Sequence, residues 1–281
     1  MTRLSAAQIE PYRAFADELA EAARAAILPF FRAGHSIENK SAAGFDPVTE
    51  ADKAGERAMR ALIAQRFPDH GVLGEEEDIK PGQNDFTWYL DPIDGTRAFI
   101  AGLPLWGVLI ALAHEGRPIV GVIDQPYLGE RFRGWLAPDG SGAALETRAG
   151  VRPLRVRACA GLLAARISTT DPTLFPGDEL AAFTAVRTRA QLTRYGYDCY
   201  AYAMVAAGGL DAVIESRLGP WDAAALIPVI EGAGGAVTDW RGQAVWRQEW
   251  FQRRDGRGQV LAAGDRSVQA DILPLLASAA K

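Results

Sequence analysis

The sequence predicts a mixed α/β protein, and three observations predict it. Apolar residues recur near the helical period at the N-terminus, and apolar and β-branched runs fill the rest of the first half. From about Val151 short strands alternate with helices, the pattern of an α/β second half. Ile9, Phe15, Leu19, Ala22, Ala26, Ile27 and Phe30 define a first amphipathic helix. A Gly- and Ser-containing loop over residues 34–45 carries Lys40. A second helix opens at Thr49, a good N-cap, with Asp52 at the third position in something close to a capping box. Ala54, Ala58, Ala61, Leu62 and Phe67 are its small or apolar residues, and Pro68 closes it.

Gly71-Val72-Leu73 and Phe86-Thr87-Trp88-Tyr89-Leu90 read as buried strands. The apolar runs 106–113 and 118–123 are joined by His114-Glu115-Gly116-Arg117, a hairpin signal. Residues 130–135 continue the sheet, and Pro138-Asp139-Gly140-Ser141-Gly142 is a turn. In the second half, strands are expected at 166–168, 192–195, 210–215 and 260–263. Helices are expected at 178–187, 200–207 and 221–232, with a closing helix from Val268.

At 281 residues the chain suffices for one large or two intimately packed domains. Its 48% apolar and 23% charged content is that of an ordinary soluble globular protein. A net charge of −5, with Lys and Arg dispersed, argues against a nucleic-acid surface. The N-terminus lacks an apolar signal core and no run approaches a membrane span, so a cytoplasmic protein with no membrane partner is expected. Cys159 and Cys199 are too few for a disulfide framework and are expected as reduced thiols. His35, His70 and His114 show no metal-ligand spacing, so carboxylate ligation of magnesium or manganese is favoured over a zinc site.

The chemistry concentrates in Leu90-Asp91-Pro92-Ile93-Asp94-Gly95-Thr96. A strand delivers Asp91 to its end, Pro92 stiffens the turn, and Asp94 is held nearby. Gly95 and Thr96 stand where a helix can begin, with free N–H groups suited to an oxyanion. Clustered carboxylates ask for a hard cation and the adjacent N–H groups for an anion, which together describe metal-assisted phosphate chemistry. The bland alternative is a turn, since Asp, Pro and Gly are common turn formers.

Three further acidic clusters bear on that choice. Gly74-Glu75-Glu76-Glu77-Asp78 follows a strand, although a solvated loop is the commoner fate of such a run. In Asp46-Pro47-Val48-Thr49-Glu50-Ala51-Asp52, capping accounts for Thr49 and Asp52 but not for Asp46. In Trp221-Asp222-Ala223-Ala224-Ala225 the aspartate could simply cap a helix.

In this order the four clusters resemble the inositol monophosphatase family of magnesium-dependent, lithium-sensitive phosphomonoesterases. Its pattern is Asp-x-Val-Thr-x-x-Asp, Gly-Glu-Glu, Asp-Pro-Ile-Asp-Gly-Thr and Trp-Asp-x-Ala-Ala, and the likeness covers roughly residues 9–276. A narrower likeness lies in Asp94-Gly95-Thr96-Arg97-Ala98-Phe99-Ile100-Ala101-Gly102, where inositol phosphatases usually continue Thr-x-Asn-Phe. With Ser168-Thr169-Thr170-Asp171-Pro172, the stretch from Arg194 through Tyr202, and Glu231-Gly232-Ala233-Gly234-Gly235, it resembles the histidinol-phosphate phosphatase branch, which acts in histidine biosynthesis.

The resemblance implies a layered α-β-α-β-α sandwich with the active site between two halves. Residues 1–150 would form an α+β half carrying most metal ligands, and 151–281 an α/β half carrying the substrate pocket and the last ligand. It implies that Glu75, Asp91 and the Ile93 carbonyl hold a first Mg²⁺, and that Asp91, Asp94 and Asp222 hold a second. A third, weaker ion would attach through Glu75; Mn²⁺ could substitute. Thr96 would orient an attacking water activated by metal, with Asp46 accepting from Thr96, and the Gly95 and Thr96 N–H groups would grip phosphate. No covalent phosphoenzyme is implied. The family also implies a homodimer.

Histidinol phosphate carries an ammonium and an imidazole, so its pocket should supply carboxylates. Asp198 and Glu215 are the candidates, and Arg194 is a weaker one for phosphate or carboxylate contact. The bland readings are a helix cap for Asp198, a solvated strand end for Glu215 and a structural ion pair for Arg194. The alternatives are an inositol- or sugar-phosphate phosphatase of the same superfamily and, of another class, a regulatory binding protein that has sidelined catalysis.

Overall fold

The computed structural model describes residues 3–33, 37–39 and 47–280. Its elements are α1 (Ala6–Ile27), β1 (Ile37–Asn39), β2 (Pro47–Thr49), α2 (Glu50–Arg66), β3 (Gly71–Gly74), β4 (Phe86–Asp94) and α3 (Thr96–Ile100). Then come β5 (Gly107–His114), β6 (Arg117–Gln125), β7 (Glu130–Trp135), β8 (Gly142–Thr147), β9 (Gly150–Pro153), β10 (Arg166–Thr169) and α4 (Asp178–Arg187). The chain continues with β11 (Leu192–Tyr195), α5 (Asp198–Ala206), β12 (Ala212–Leu218), α6 (Pro220–Ala224), α7 (Leu226–Gly232), β13 (Ala236–Thr238), β14 (Gly258–Ala263) and α8 (Arg266–Leu276).

Strands β3 to β9 lie in sequence order in a seven-stranded sheet, antiparallel apart from the β3–β4 pair. The second sheet runs β11-β10-β12-β14-β13, with β11, β10 and β12 parallel. Alternation along the strands explains the layering, because successive side chains leave a sheet on opposite faces. Trp88, Leu90, Val108, Ile110 and Leu112 pack with α1 and α2. Their sequence neighbours Tyr89, Leu109 and Ala111 face α5, α6 and α7 instead. Val213, Val260 and Ala262 of the second sheet close that middle layer from the other side. Ile167, Ala212, Ile214 and Leu261 turn outward onto α4 and α8. The order is therefore helix, sheet, helix, sheet, helix, the sandwich expected.

The hairpin at Glu115-Gly116 has both central residues at positive φ, 49° and 75°, as a two-residue turn between twisted strands requires. The helix expected over 221–232 is instead two, α6 and α7, which meet at Ala225. Pro228 has no N–H to return to the carbonyl four residues back, which accounts for the break. At the same junction a Cβ on Gly121 would lie 2.4 Å from the Ala225 carbonyl oxygen. Only a bare strand surface there lets the α6–α7 corner, and with it Asp222, seat directly on the seven-stranded sheet. Strand β9, exposed along its whole length, has no apolar alternation by which to be foreseen.

His70 has a packing role and a consequence for stability. It is 5% exposed and stacks between Phe67 and Phe86, with ring centroids 4.6 and 4.8 Å away. Trp88 Nε1, which can only donate, is 3.1 Å from His70 Nδ1, so the imidazole is neutral with its proton on Nε2. Burial, and then the nearby Lys80 charge, push its pKa down from 6.5 to about 4. The unfolded chain thus binds the proton first as pH falls, and stability present above pH 6.5 is lost between there and pH 4. His70→Gln should flatten that window by about 1–3 kcal/mol, read as the difference in urea midpoints across it. An equal decline in both proteins would show that other groups drive it.

Candidate active site

In a regular strand, residues three apart point to opposite faces, so Asp91 and Asp94 on β4 should diverge. They converge because Asp91 pairs with Leu109 while Asp94 pairs with Gly107, three steps on β4 against two on β5. The extra residue is a β-bulge, a device that re-aims a side chain at a strand end. Asp91 Oδ1 accepts the Ile93 N–H at 3.0 Å, which secures the bulge. Gly95, at φ 86°, then turns the chain into α3.

Around this loop the other carboxylates gather. The Glu75 N–H bonds the Leu90 carbonyl at 3.2 Å, so the loop after β3 lies beside Asp91. Asp222 sits in the first turn of α6 and accepts the Gly219 N–H at 2.6 Å. Asp91, Asp94 and Asp222 each place a carboxylate oxygen within 4.8 Å of the other two. Asp91 is 1% exposed, and its pKa is pushed well up, first by burial and then by Glu75, Asp94, Asp222 and Asp52. Asp94 is raised by burial, Asp198 and Asp222, even though its Oδ2 accepts the Cys199 N–H at 2.5 Å. Such repulsion is what a bound cation removes, and an all-oxygen set of acids suits a hard divalent ion.

The Thr96 hydroxyl lies 3.1 Å from the Ile93 carbonyl oxygen and 3.5 Å from Asp52 Oδ1. Asp52 does complete the capping box of α2, its Oδ2 accepting from Thr49 N at 2.8 Å and from Thr49 Oγ1 at 2.6 Å. Its other oxygen reaches the site, a second use that the capping signal hid. Asp46 lies outside the described residues.

Asp198 and Glu215 come from the second half onto the rim of the same cluster. A Cβ on Gly95 would lie 3.0 Å from the Asp198 carboxylate, so this acid stands directly over the turn before Thr96. Asp198 does not act as a side-chain cap on α5, since Tyr197 holds the N-cap position. It has a φ of 44°, an uncommon conformation for a residue with a side chain and one that clusters at functional sites. Burial raises its pKa to about 6, against the lowering influence of the nearby Thr170 hydroxyl and the charge of Arg97. Glu215 Oε1 accepts from Thr170 N at 2.8 Å and Thr170 Oγ1 at 2.7 Å, and burial lifts its pKa to about 7. Thr170 and Arg97 had no assigned role; no local signal marks a threonine that holds an acid 45 positions away. Arg194 is exposed on β11, where its Nε donates to the Tyr197 hydroxyl at 3.0 Å, and none of its described contacts reaches the carboxylates.

Residues 8–280 match the profile of the inositol monophosphatase family. The chain belongs to that family. It is 40% identical to the bifunctional phosphatase IMPL2, chloroplastic, of Arabidopsis thaliana over 98% of this chain and 78% of that one. It is likewise 40% identical to a histidinol-phosphatase of Chlorobaculum parvum, over 87% of this chain and 89% of the relative. Its fold is similar to an inositol monophosphatase structure from Zymomonas mobilis, with a TM-score of 0.82 and 36% identity over 98% of this chain and all of that one. As a family member the chain is a phosphomonoesterase of a metal-dependent class, and the acids clustered around the buried Asp91 fit that dependence. Among the described residues no helix is long and apolar enough to cross a membrane.

Proposed function

We propose that this phosphomonoesterase hydrolyses L-histidinol phosphate with Mg²⁺. The observation that carries the substrate choice is the pair of acids, Asp198 over Gly95 and Glu215 beside Thr170, on the rim of the Asp91–Asp94–Asp222 cluster. A cationic substrate tail would meet two carboxylates there, while its phosphate lies toward Gly95 and Thr96. The histidinol-phosphatase relative supports the same choice. Glu75, Asp91, Asp94, Asp222 and the Ile93 carbonyl would hold the ions. When bound, paired divalent ions stabilise the attacking and leaving oxygens of an in-line displacement and make water a nucleophile near neutral pH.

The chain's own groups do the positioning. Thr96 Oγ1, with its proton directed to the Ile93 carbonyl or Asp52, presents a lone pair that accepts from a water and so aims it. The Gly95 and Thr96 N–H groups, at the start of α3, lack helical partners and would donate to the phosphate oxygens. Arg97, close enough to Asp198 to lower its pKa, helps keep that carboxylate ionised for an ammonium partner.

Neutralising Asp198 tests the reading. Charge-assisted hydrogen bonds are worth about 1.5–3 kcal/mol, so Asp198→Asn should lower kcat/KM for histidinol phosphate by roughly 10- to 100-fold. Inositol 1-phosphate and glycerol phosphate, which have no cationic tail, should lose far less. The likeness to the Zymomonas enzyme favours a second reading, an inositol- or sugar-phosphate phosphatase. Equal losses on charged and neutral tails would return the assignment to it.

A further inference from the structure

Helix α2 carries a second buried acid one turn beyond Asp52. Glu56 is fully buried, on the helix face shared with Asp52, Met59 and Ile63, where an amphipathic helix would place an apolar residue. Burying a carboxylate is costly unless it is paired and fully hydrogen-bonded. Here it is. Glu56 Oε2 accepts the Glu76 N–H at 2.7 Å, and Oε1 accepts the Glu77 N–H at 3.1 Å. Arg60, at the i+4 position, donates from Nε to Oε1 at 2.7 Å and from Nη2 to the Glu77 carbonyl at 3.3 Å. From the second half, Arg254 Nη2 donates to the Glu75 carbonyl at 3.0 Å.

Four backbone atoms of the Glu75–Glu77 loop are thus held by three charged side chains. The approach is so close that a Cβ on Gly74 would lie 2.1 Å from Glu56 Oε1. The glycine ahead of the three glutamates leaves the room that this carboxylate occupies.

We propose that Glu56 is a positioning residue for the metal site, fixing the loop so that the Glu75 carboxylate is presented to a cation beside Asp91. The inference rests on the reading of Glu75 as a metal ligand. It makes α2 a common mount: Asp52 reaches Thr96, and Glu56, one turn on, sets the loop that carries Glu75. Groups that orient a ligand without touching the ion typically control metal affinity by about 10- to 100-fold.

Direct titration of Mn²⁺ into the metal-free full-length protein, by calorimetry or by the EPR signal of free Mn²⁺, measures this without recourse to turnover. Glu56→Gln keeps the size of the side chain but places an amide where two N–H groups and Arg60 need acceptors. It should remain folded by circular dichroism and bind Mn²⁺ about 10- to 100-fold more weakly. Met59→Ala, on the same helix but away from the loop, should lower the melting temperature and leave Mn²⁺ affinity unchanged. A folded Glu56→Gln protein with wild-type affinity overturns the proposal, as does an equal affinity loss in Met59→Ala. Should Glu56→Gln not fold, Arg60→Met and Arg254→Met apply the same measurement to the other grips on the loop, and wild-type affinity in both is an equal refutation. Glu75→Gln separates the two levels. If it leaves Mn²⁺ binding intact, the ligand reading falls and takes this inference with it. If it abolishes tight binding while Glu56→Gln does not weaken it, only the positioning role falls.

Discussion

Asp91→Asn should abolish turnover and yet melt at a higher temperature than wild type when both are held in EDTA. Asp91 is buried among Asp94, Asp222, Glu75 and Asp52, and each of these acids adds to burial in pushing its pKa up. Without a divalent ion, these carboxylates repel one another in a medium that screens poorly. Asparagine removes one of the charges and still offers Oδ1 to the Ile93 N–H, so the bulge in β4 survives. Relief of even about 1 kcal/mol raises the melting temperature by about 2–4 °C in a large domain. Adding Mg²⁺ should reverse the order, because only the wild type binds the ion tightly and binding stabilises the state that binds. Thermal melts with and without Mg²⁺, beside an activity assay at saturating Mg²⁺, check both halves. Near wild-type activity at saturating Mg²⁺ would refute the assignment of Asp91 as a ligand shared by two ions, and a lower melting temperature in EDTA would show the acid to be structural.

What was legible in the sequence is what local chemistry writes. The hairpin at Glu115-Gly116, the α2 cap at Thr49 and Asp52, and the helix at Asp178–Arg187 each depend on residues a few positions apart, and all stand where expected. The acids at 91, 94 and 222 were readable as motif pieces, and the fold brings them together. The bulge was not readable, because it exists only in the register of β4 against β5. Glu56 was invisible for a related reason. Its partners are the N–H groups of residues 76 and 77, and a glutamate on a helix reads by default as a solvated one. Arg254 reaches the Glu75 carbonyl across 179 positions, a pairing that only the packing of the two halves creates. The break between α6 and α7 was within reach, since Pro228 stood in the sequence to announce it.

Thr96→Ala should lower kcat on the order of 10²-fold, the scale of lost orientation and proton handling, while Mn²⁺ affinity stays near wild type. The side chain is a hydroxyl among acids, and its two neighbours divide the possible roles. Asp52 Oδ1, 3.5 Å away, can take its proton and leave a lone pair facing a water. The Ile93 carbonyl, 3.1 Å away, belongs to the bulge itself. If aiming water is the function, Thr96→Ser restores most of the rate because it keeps the oxygen, and Asp52→Asn depresses kcat with little change in KM. If holding the bulge is the function, Thr96→Ala instead loosens the Ile93 carbonyl, and Mn²⁺ affinity falls together with the rate. Steady-state kinetics and Mn²⁺ titration on the same three variants distinguish these outcomes. A Thr96→Ala enzyme that binds Mn²⁺ normally and turns over at the wild-type rate would exclude both roles and require some other group to orient the water.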